Sequence, residues 1–183
     1  LYGACAVSGN YPDISLAELD RMLANPGVVM VKLHPWSTRC KMNDRRLQPV
    51  YDYIAGRGLF LLVHTWLDGD PYGSQDIFAS VAADYPSIKW LMGHSGGPYG
   101  SIRAVEIAQK LDNVFLDLTL SMCPAQQVEF FVREVGPDRV LFGTDNPFID
   151  PRPQIGRVAL ARISDEDKAK IFGGNVRRLV RFV

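Results

Sequence analysis

Leu61-Leu62-Val63-His64 and, thirty residues later, Leu91-Met92-Gly93-His94 decide the reading of this chain. Each is a short apolar run that stops on an imidazole. Runs of this kind, nearly continuous rather than alternating, suit strands buried on both faces, as in a parallel sheet covered by helices. The same pattern stands thirty residues upstream, in Val31-Lys32-Leu33-His34, and again downstream, in Leu141-Phe142-Gly143-Thr144-Asp145. Six apolar runs are expected as strands in all, over 1–7, 28–33, 59–63, 88–92, 114–118 and 140–142.

Helical patterns separate these runs. Ser15-Leu16-Ala17-Glu18 reads as a capping box, with Leu16, Leu19 and Leu23 on one face. Asn43 or Asp44 is expected to cap a second helix that runs to about Ala55 and stops at Gly56. Ser74 caps a third, 101–111 is a fourth, and Pro124 opens a fifth that ends near Gly136. A sixth spans about 154–162, Ser164 opens a seventh, and Asn175 is expected to cap the last. Strand and helix alternate throughout, which argues for parallel strands with right-handed crossovers. The expectation is one α/β domain over 1–183, a (β/α)8 TIM-barrel type present as an incomplete barrel of six parallel strands with flanking helices. A doubly wound open sheet is the competing architecture, but no G-x-G-x-x-G follows the first strand.

Composition narrows the function. The 183 residues carry 20 Lys plus Arg against 20 Asp plus Glu, so nothing suggests a nucleic-acid backbone or an anionic membrane as partner. The sequence has no apolar run as long as a membrane span. Cys5, Cys40 and Cys123 are odd in number and far apart, which argues against a disulfide framework and for a reducing, cytoplasmic setting. The chain begins at Leu1, inside an apolar run, so further sequence is expected upstream. An open barrel would expose the strands at its two edges, and that points to a homo-oligomer.

The polar residues at the strand ends carry the chemistry. All lie where α/β barrels place their active sites. A lone histidine after a strand is more often a loop residue, and Asp145 before Asn146-Pro147 suits a turn. The joint placement is what points to a shared metal. Imidazole and carboxylate suit zinc first, with manganese or iron as alternatives. The expected ligands are His64, His94 and Asp145, with Asp145 and His94 also catalytic through metal-activated water and proton transfer. Gly93, Gly96, Gly97 and Gly143 flank these groups, either as turn residues or to let substrate come close to the backbone.

Taken with Ile171-Phe172-Gly173-Gly174-Asn175, the blocks Lys32-Leu33-His34-Pro35, Val63-His64-Thr65, Gly93-His94-Ser95-Gly96-Gly97 and Gly143-Thr144-Asp145-Asn146-Pro147 occur in an order that resembles the amidohydrolase superfamily. More closely, they resemble its branch of aminocarboxymuconate semialdehyde decarboxylase, resorcylate-type decarboxylases and sugar- or pyrone-lactone hydrolases. The resemblance implies that His64 is the ligand ending the fifth barrel strand and His94 the sixth-strand histidine. Asp145 would be the metal-binding, proton-transferring aspartate of the eighth. Lys32 falls where binuclear superfamily members carry a carboxylated lysine; here it is taken as substrate-facing or structural. His34, Trp36, Trp66 and Asn146 are expected to line the substrate site. The six runs correspond to the third to eighth strands, and the family's first-strand H-x-H or E-x-H pair has no counterpart. The expected function is a metal-dependent hydrolase of a small lactone, ester or amide. The alternatives are non-oxidative decarboxylation of a small carboxylic acid on the same scaffold, and a non-catalytic remnant. Arg39, Arg45 and Arg46 could bind a carboxylate but read better as a solvated face.

Overall fold

The computed structural model describes residues 2–66, 69–119 and 124–180. Leu1, Cys123 and Arg181 therefore lie outside the described residues. Six strands form one sheet in sequence order: β1 (Gly3–Val7), β2 (Val28–Leu33), β3 (Phe60–His64), β4 (Lys89–Gly93), β5 (Val114–Asp117) and β6 (Val140–Leu141). Every neighbouring pair is parallel. The sheet does not close, and β1 and β6 are its end strands. This is an incomplete barrel of the expected type.

Helices follow each strand: α1 (Pro12–Leu23), α2 (Pro35–Thr38), α3 (Gln48–Arg57), α4 (Gln75–Asp84), α5 (Ser101–Lys110), α6 (Gln127–Val135), α7 (Pro151–Ala159), α8 (Asp165–Ala169) and α9 (Asn175–Leu179). The period-two alternation of strand side chains sorts the apolar residues into two layers. Leu61 and Val63 of β3, Trp90 and Met92 of β4, and Leu116 of β5 point outward into the core shared with the helices. Phe60, Leu91, Phe115 and Leu141 point to the inner face, where Val180 packs on them. The same alternation sends Lys32, His64 and Asp117 inward, at or near the C-terminal ends of β2, β3 and β5.

Several helix boundaries differ from expectation, each for a local reason. Pro12 sits in the first turn of α1, so the helix starts one turn before the supposed capping box. The Ser15 hydroxyl instead accepts from the Ser8 N–H (2.9 Å) and donates to the Ser8 carbonyl (3.0 Å), tying the β1–α1 loop. Asp44 caps a short 3-10 turn, Arg45–Leu47, rather than α3 itself, and α3 continues past Gly56 to stop at Gly58 in the left-handed region. Pro124 precedes α6 by three residues. The Asn175 side chain caps nothing at its own helix; it donates to the Pro137 (2.7 Å) and Val140 (2.9 Å) carbonyls and so anchors α9 to β6. Ser74 and Ser164 cap as expected, accepting from the Ile77 and Asp167 N–H groups.

Candidate active site

Two imidazoles meet at the C-terminal rim. His64 ends β3 and His94 follows β4, and parallel pairing sets His64 opposite Gly93. The chain then turns sharply. His94 (φ 65), Ser95 (φ 44), Gly96 (φ 81) and Gly97 (φ 75) all take positive φ, which is costly for the two that are not glycine. This turn swings His94 back over the mouth, so that its Nε2 stands 3.1 Å from His64 Nδ1.

Hydrogen bonds hold the turn open. The Thr65 hydroxyl donates to the Gly93 carbonyl (2.8 Å) and accepts from the Gly96 N–H (3.2 Å). The buried Gln75 amide donates to the Gly100 carbonyl (3.0 Å), and a Cβ on Gly96 would collide with that same amide. Glycine is required at 96 for this contact as well as for its φ. From the next strand, Asp117 accepts the His94 N–H at Oδ2 (3.0 Å) and the Thr119 hydroxyl at Oδ1 (2.8 Å). The Thr119 carbonyl lies 2.7 Å from His94 Nδ1. A carbonyl oxygen only accepts, so Nδ1 carries the proton and Nε2 presents a lone pair to His64.

Flat rings build one wall of the mouth. The His34 and His64 rings stack at 3.9 Å, and Trp66 lies nearly parallel on His64 at 5.9 Å. Trp66 also meets His94 edge-on, at 5.8 Å. Burial, with the neighbouring His34, His94 and Lys32 adding to it, pushes the His64 pKa down to about 3, so the ring is neutral at physiological pH. His34 is lowered by burial first and then by Lys32 and His94. Lys32 is pushed down by burial, while the carboxylates Asp117 and Asp145 push it back up.

The predicted site residues divide into two groups. His34, Lys32, His64, His94 and Trp66 come together at the mouth. Asp145 shares this rim closely enough for its charge to act on Lys32 and His34. It is solvent-exposed, in the left-handed region (φ 58), and its carbonyl accepts from the Phe148 and Ile149 N–H groups. Trp36 is 57% exposed and packs edge-on against Tyr72. Asn146 is exposed and precedes a cis proline. Asp117 has a place in the regular spacing of strand-end polar residues, 23 after His94, but the sequence assigns neither it nor Thr119 a role at the site.

The donor set fits a metal in part. Two nitrogens each about 2.0–2.1 Å from a tetrahedral ion stand roughly 3.3 Å apart, and the 3.1 Å between His64 and His94 is close to that. A carbonyl on the far nitrogen of a ligating histidine is the usual outer partner, and Thr119 supplies it to His94. Among the described residues, no group of three or more histidine, cysteine or acidic side chains stands together as an assembled metal site. His64 and His94 are the pair in direct contact.

A parallel α/β barrel with its polar groups converging at the C-terminal mouth defines the class of TIM-barrel proteins, whose chemistry sits at that face. Within that class the chain belongs to the amidohydrolase family, whose model matches residues 1–182. Among solved structures, it is similar to an uncharacterized TIM-barrel protein of Bordetella bronchiseptica, at TM-score 0.81 and 21% identity over 97% of this chain and 66% of that one. It is also similar to 5-carboxyvanillate decarboxylase of Sphingomonas paucimobilis (TM-score 0.75, 16% identity, 100% and 67% covered). A third is a dihydroxybenzoic acid decarboxylase of a Polaromonas species, solved with bound manganese and 2-nitroresorcinol (0.69, 19%, 92% and 65%). The chain thus spans about two thirds of the length of these structures. No curated protein matches it. Among the described residues, no helix is long and apolar enough to cross a membrane.

Proposed function

We propose that the protein of which this chain forms the catalytic rim is a metal-dependent decarboxylase of a small, planar carboxylic acid. The observation that carries the reading is the pairing of His64 and His94 at 3.1 Å beside an inward-facing lysine. The decarboxylases among the similar structures support this reaction over hydrolysis of a lactone, ester or amide, which the sequence put first.

His64 and His94 would hold a divalent ion, manganese or zinc, which when bound would supply Lewis acidity at the mouth. The remaining steps belong to the chain's own groups. The ring wall of His34, His64 and Trp66 offers a flat face for a planar substrate. The Lys32 ammonium, set low in the mouth, pairs with an anionic group and fixes its direction. Breaking the carbon–carboxylate bond leaves an electron pair on carbon, and that carbon takes a proton as carbon dioxide departs. Asp145, at the rim, is the group assigned to handle that proton. Partners beyond a small molecule are not required by this reading, and a homo-oligomer joined through the sheet edges is compatible with it.

The test is a substrate panel on the full-length protein loaded with manganese or zinc. Hydroxylated aromatic acids are assayed for carbon dioxide release, and lactones, esters and amides for acid release. Release of carbon dioxide that Asp145→Asn abolishes without unfolding the protein supports the assignment. Acid release alone transfers the site to hydrolysis, and no turnover of either panel defeats both. His64→Ala should lower retained metal by elemental analysis; unchanged metal content removes His64 from the ligand set.

A further inference from the structure

We propose that Asp117 and Thr119 are positioning residues that hold His94 in a single tautomer, protonated at Nδ1, with its Nε2 lone pair turned into the mouth. The role rests on the reading of His94 as a site residue, but the tautomer can be tested without any reaction.

The two residues grip the His94 turn at three points and are bonded to each other at a fourth. Asp117 Oδ2 takes the His94 N–H (3.0 Å), and the Asp117 carbonyl takes the Ser95 hydroxyl (2.8 Å). Asp117 Oδ1 takes the Thr119 hydroxyl (2.8 Å), and the Thr119 carbonyl takes His94 Nδ1–H (2.7 Å). The Asp117 carboxylate is buried (residue 6% exposed), so each of its oxygens spends its main hydrogen bond on this clamp. Both bonds to the carboxylate are charge-assisted and fix direction as well as distance. The clamp also stabilises a turn in which two non-glycine residues hold positive φ, a conformation that persists only when its surroundings impose it.

The consequence concerns which nitrogen faces the mouth. With Nδ1–H committed to Thr119, Nε2 cannot carry a proton in the neutral ring, and the proton between the two imidazoles must come from His64 Nδ1. A free imidazole in water favours the opposite tautomer only weakly, so two well-directed bonds suffice to reverse it. The β6 end seals the arrangement, because a Cβ on Gly143 would overlap Thr119 Oγ1 and stand 2.5 Å from Asp117 Oδ1.

The chain has three histidines, so its imidazoles can be resolved individually by NMR after 15N-histidine labelling. The full chain is treated with chelator and read at a pH where the rings are neutral, with His94→Gln used for assignment. His94 is expected as the Nδ1–H form, with a slowly exchanging ring proton. Thr119→Val keeps the side-chain shape and the carbonyl but removes the hydroxyl. It should speed that exchange about tenfold, the effect of weakening one charge-assisted hydrogen bond, and Thr119→Ser should restore it. His34 is the internal control, since its Nδ1 accepts from the Ser37 N–H within its own loop and its tautomer should not change. A purely structural role would disturb all three rings together. If Thr119→Val fails to fold, Asp117→Asn is read the same way, because an amide offers one acceptor oxygen in place of two. Wild-type His94 protonated at Nε2, or an unchanged exchange rate in either folded variant, overturns the proposal while leaving the decarboxylase panel to stand or fall separately.

Discussion

Gly143→Ala is the sharpest test of how the ends of β5 and β6 fit together. A Cβ at this position would overlap the Thr119 hydroxyl and stand 2.5 Å from Asp117 Oδ1. The methyl group therefore cannot enter without breaking the hydrogen bond between those two side chains. Losing a hydrogen bond to a buried carboxylate costs about 1.5–3 kcal/mol. Displacing a packed strand end to admit a methyl adds about 1–3 kcal/mol. The expected loss is about 2.5–6 kcal/mol in total, a large part of the stability of an ordinary domain. Thr119→Ala removes the closest obstacle, and in that background Gly143→Ala should cost about 2 kcal/mol less. Urea unfolding of the wild type, both single variants and the double variant closes the cycle, provided the denaturant slope does not change. Costs that add to within about 0.5 kcal/mol, or a Gly143→Ala loss under about 1 kcal/mol, would refute the reasoning, since neither is compatible with a shared point of collision.

Two further outcomes concern pH. The Asp44 pKa is held down to about 2 by the Arg46 side chain first and the Arg46 N–H second, so its contribution is present above the ordinary value of 3.8 and is lost as the pH falls toward 2. Asp44→Ala should therefore cost about 1 kcal/mol at pH 7, allowing for a solvent-exposed pair, and urea midpoints of variant and wild type should converge near pH 2. In chelator-treated protein, the depressed His64 pKa means that the unfolded chain binds the extra proton between about 3 and 6.5, so stability should rise with pH across that window and be lost as the pH is lowered through it. His64→Gln should flatten this part of the urea-midpoint profile; an unaltered profile would show that the ring is not buried as a neutral group.

The repeat of apolar run and terminal polar residue was sufficient to place all six strands to within about two residues. Strand identity is a local property, set by apolar runs of strand length and by the helices between them. Helix ends were less legible, because competing local signals stood close together. At α1, Pro12 and Ser15 both offered a start, and Pro12 prevailed because the Ser15 hydroxyl is used by the Ser8 backbone. At α9, Asn175 read as a cap, yet its amide is spent on two carbonyls more than thirty residues away.

The sequence by itself determined that His34, His64, His94 and Asp145 lie at the C-terminal rim of a parallel sheet, because each follows directly on a strand and strand direction is fixed by the alternation with helices. Only the tertiary structure decided which of them touch. The His34–His64–Trp66 stack, the 3.1 Å approach of His94 and the Asp117–Thr119 clamp join residues on neighbouring strands through side-chain directions and positive-φ turns. Asp145, equally visible as a strand-end residue, sits exposed at the same rim, close enough for its charge to act on Lys32 and His34. Position along a strand is encoded by neighbours in sequence, whereas contact at the mouth depends on turns whose geometry is enforced by hydrogen bonds from more than twenty residues away.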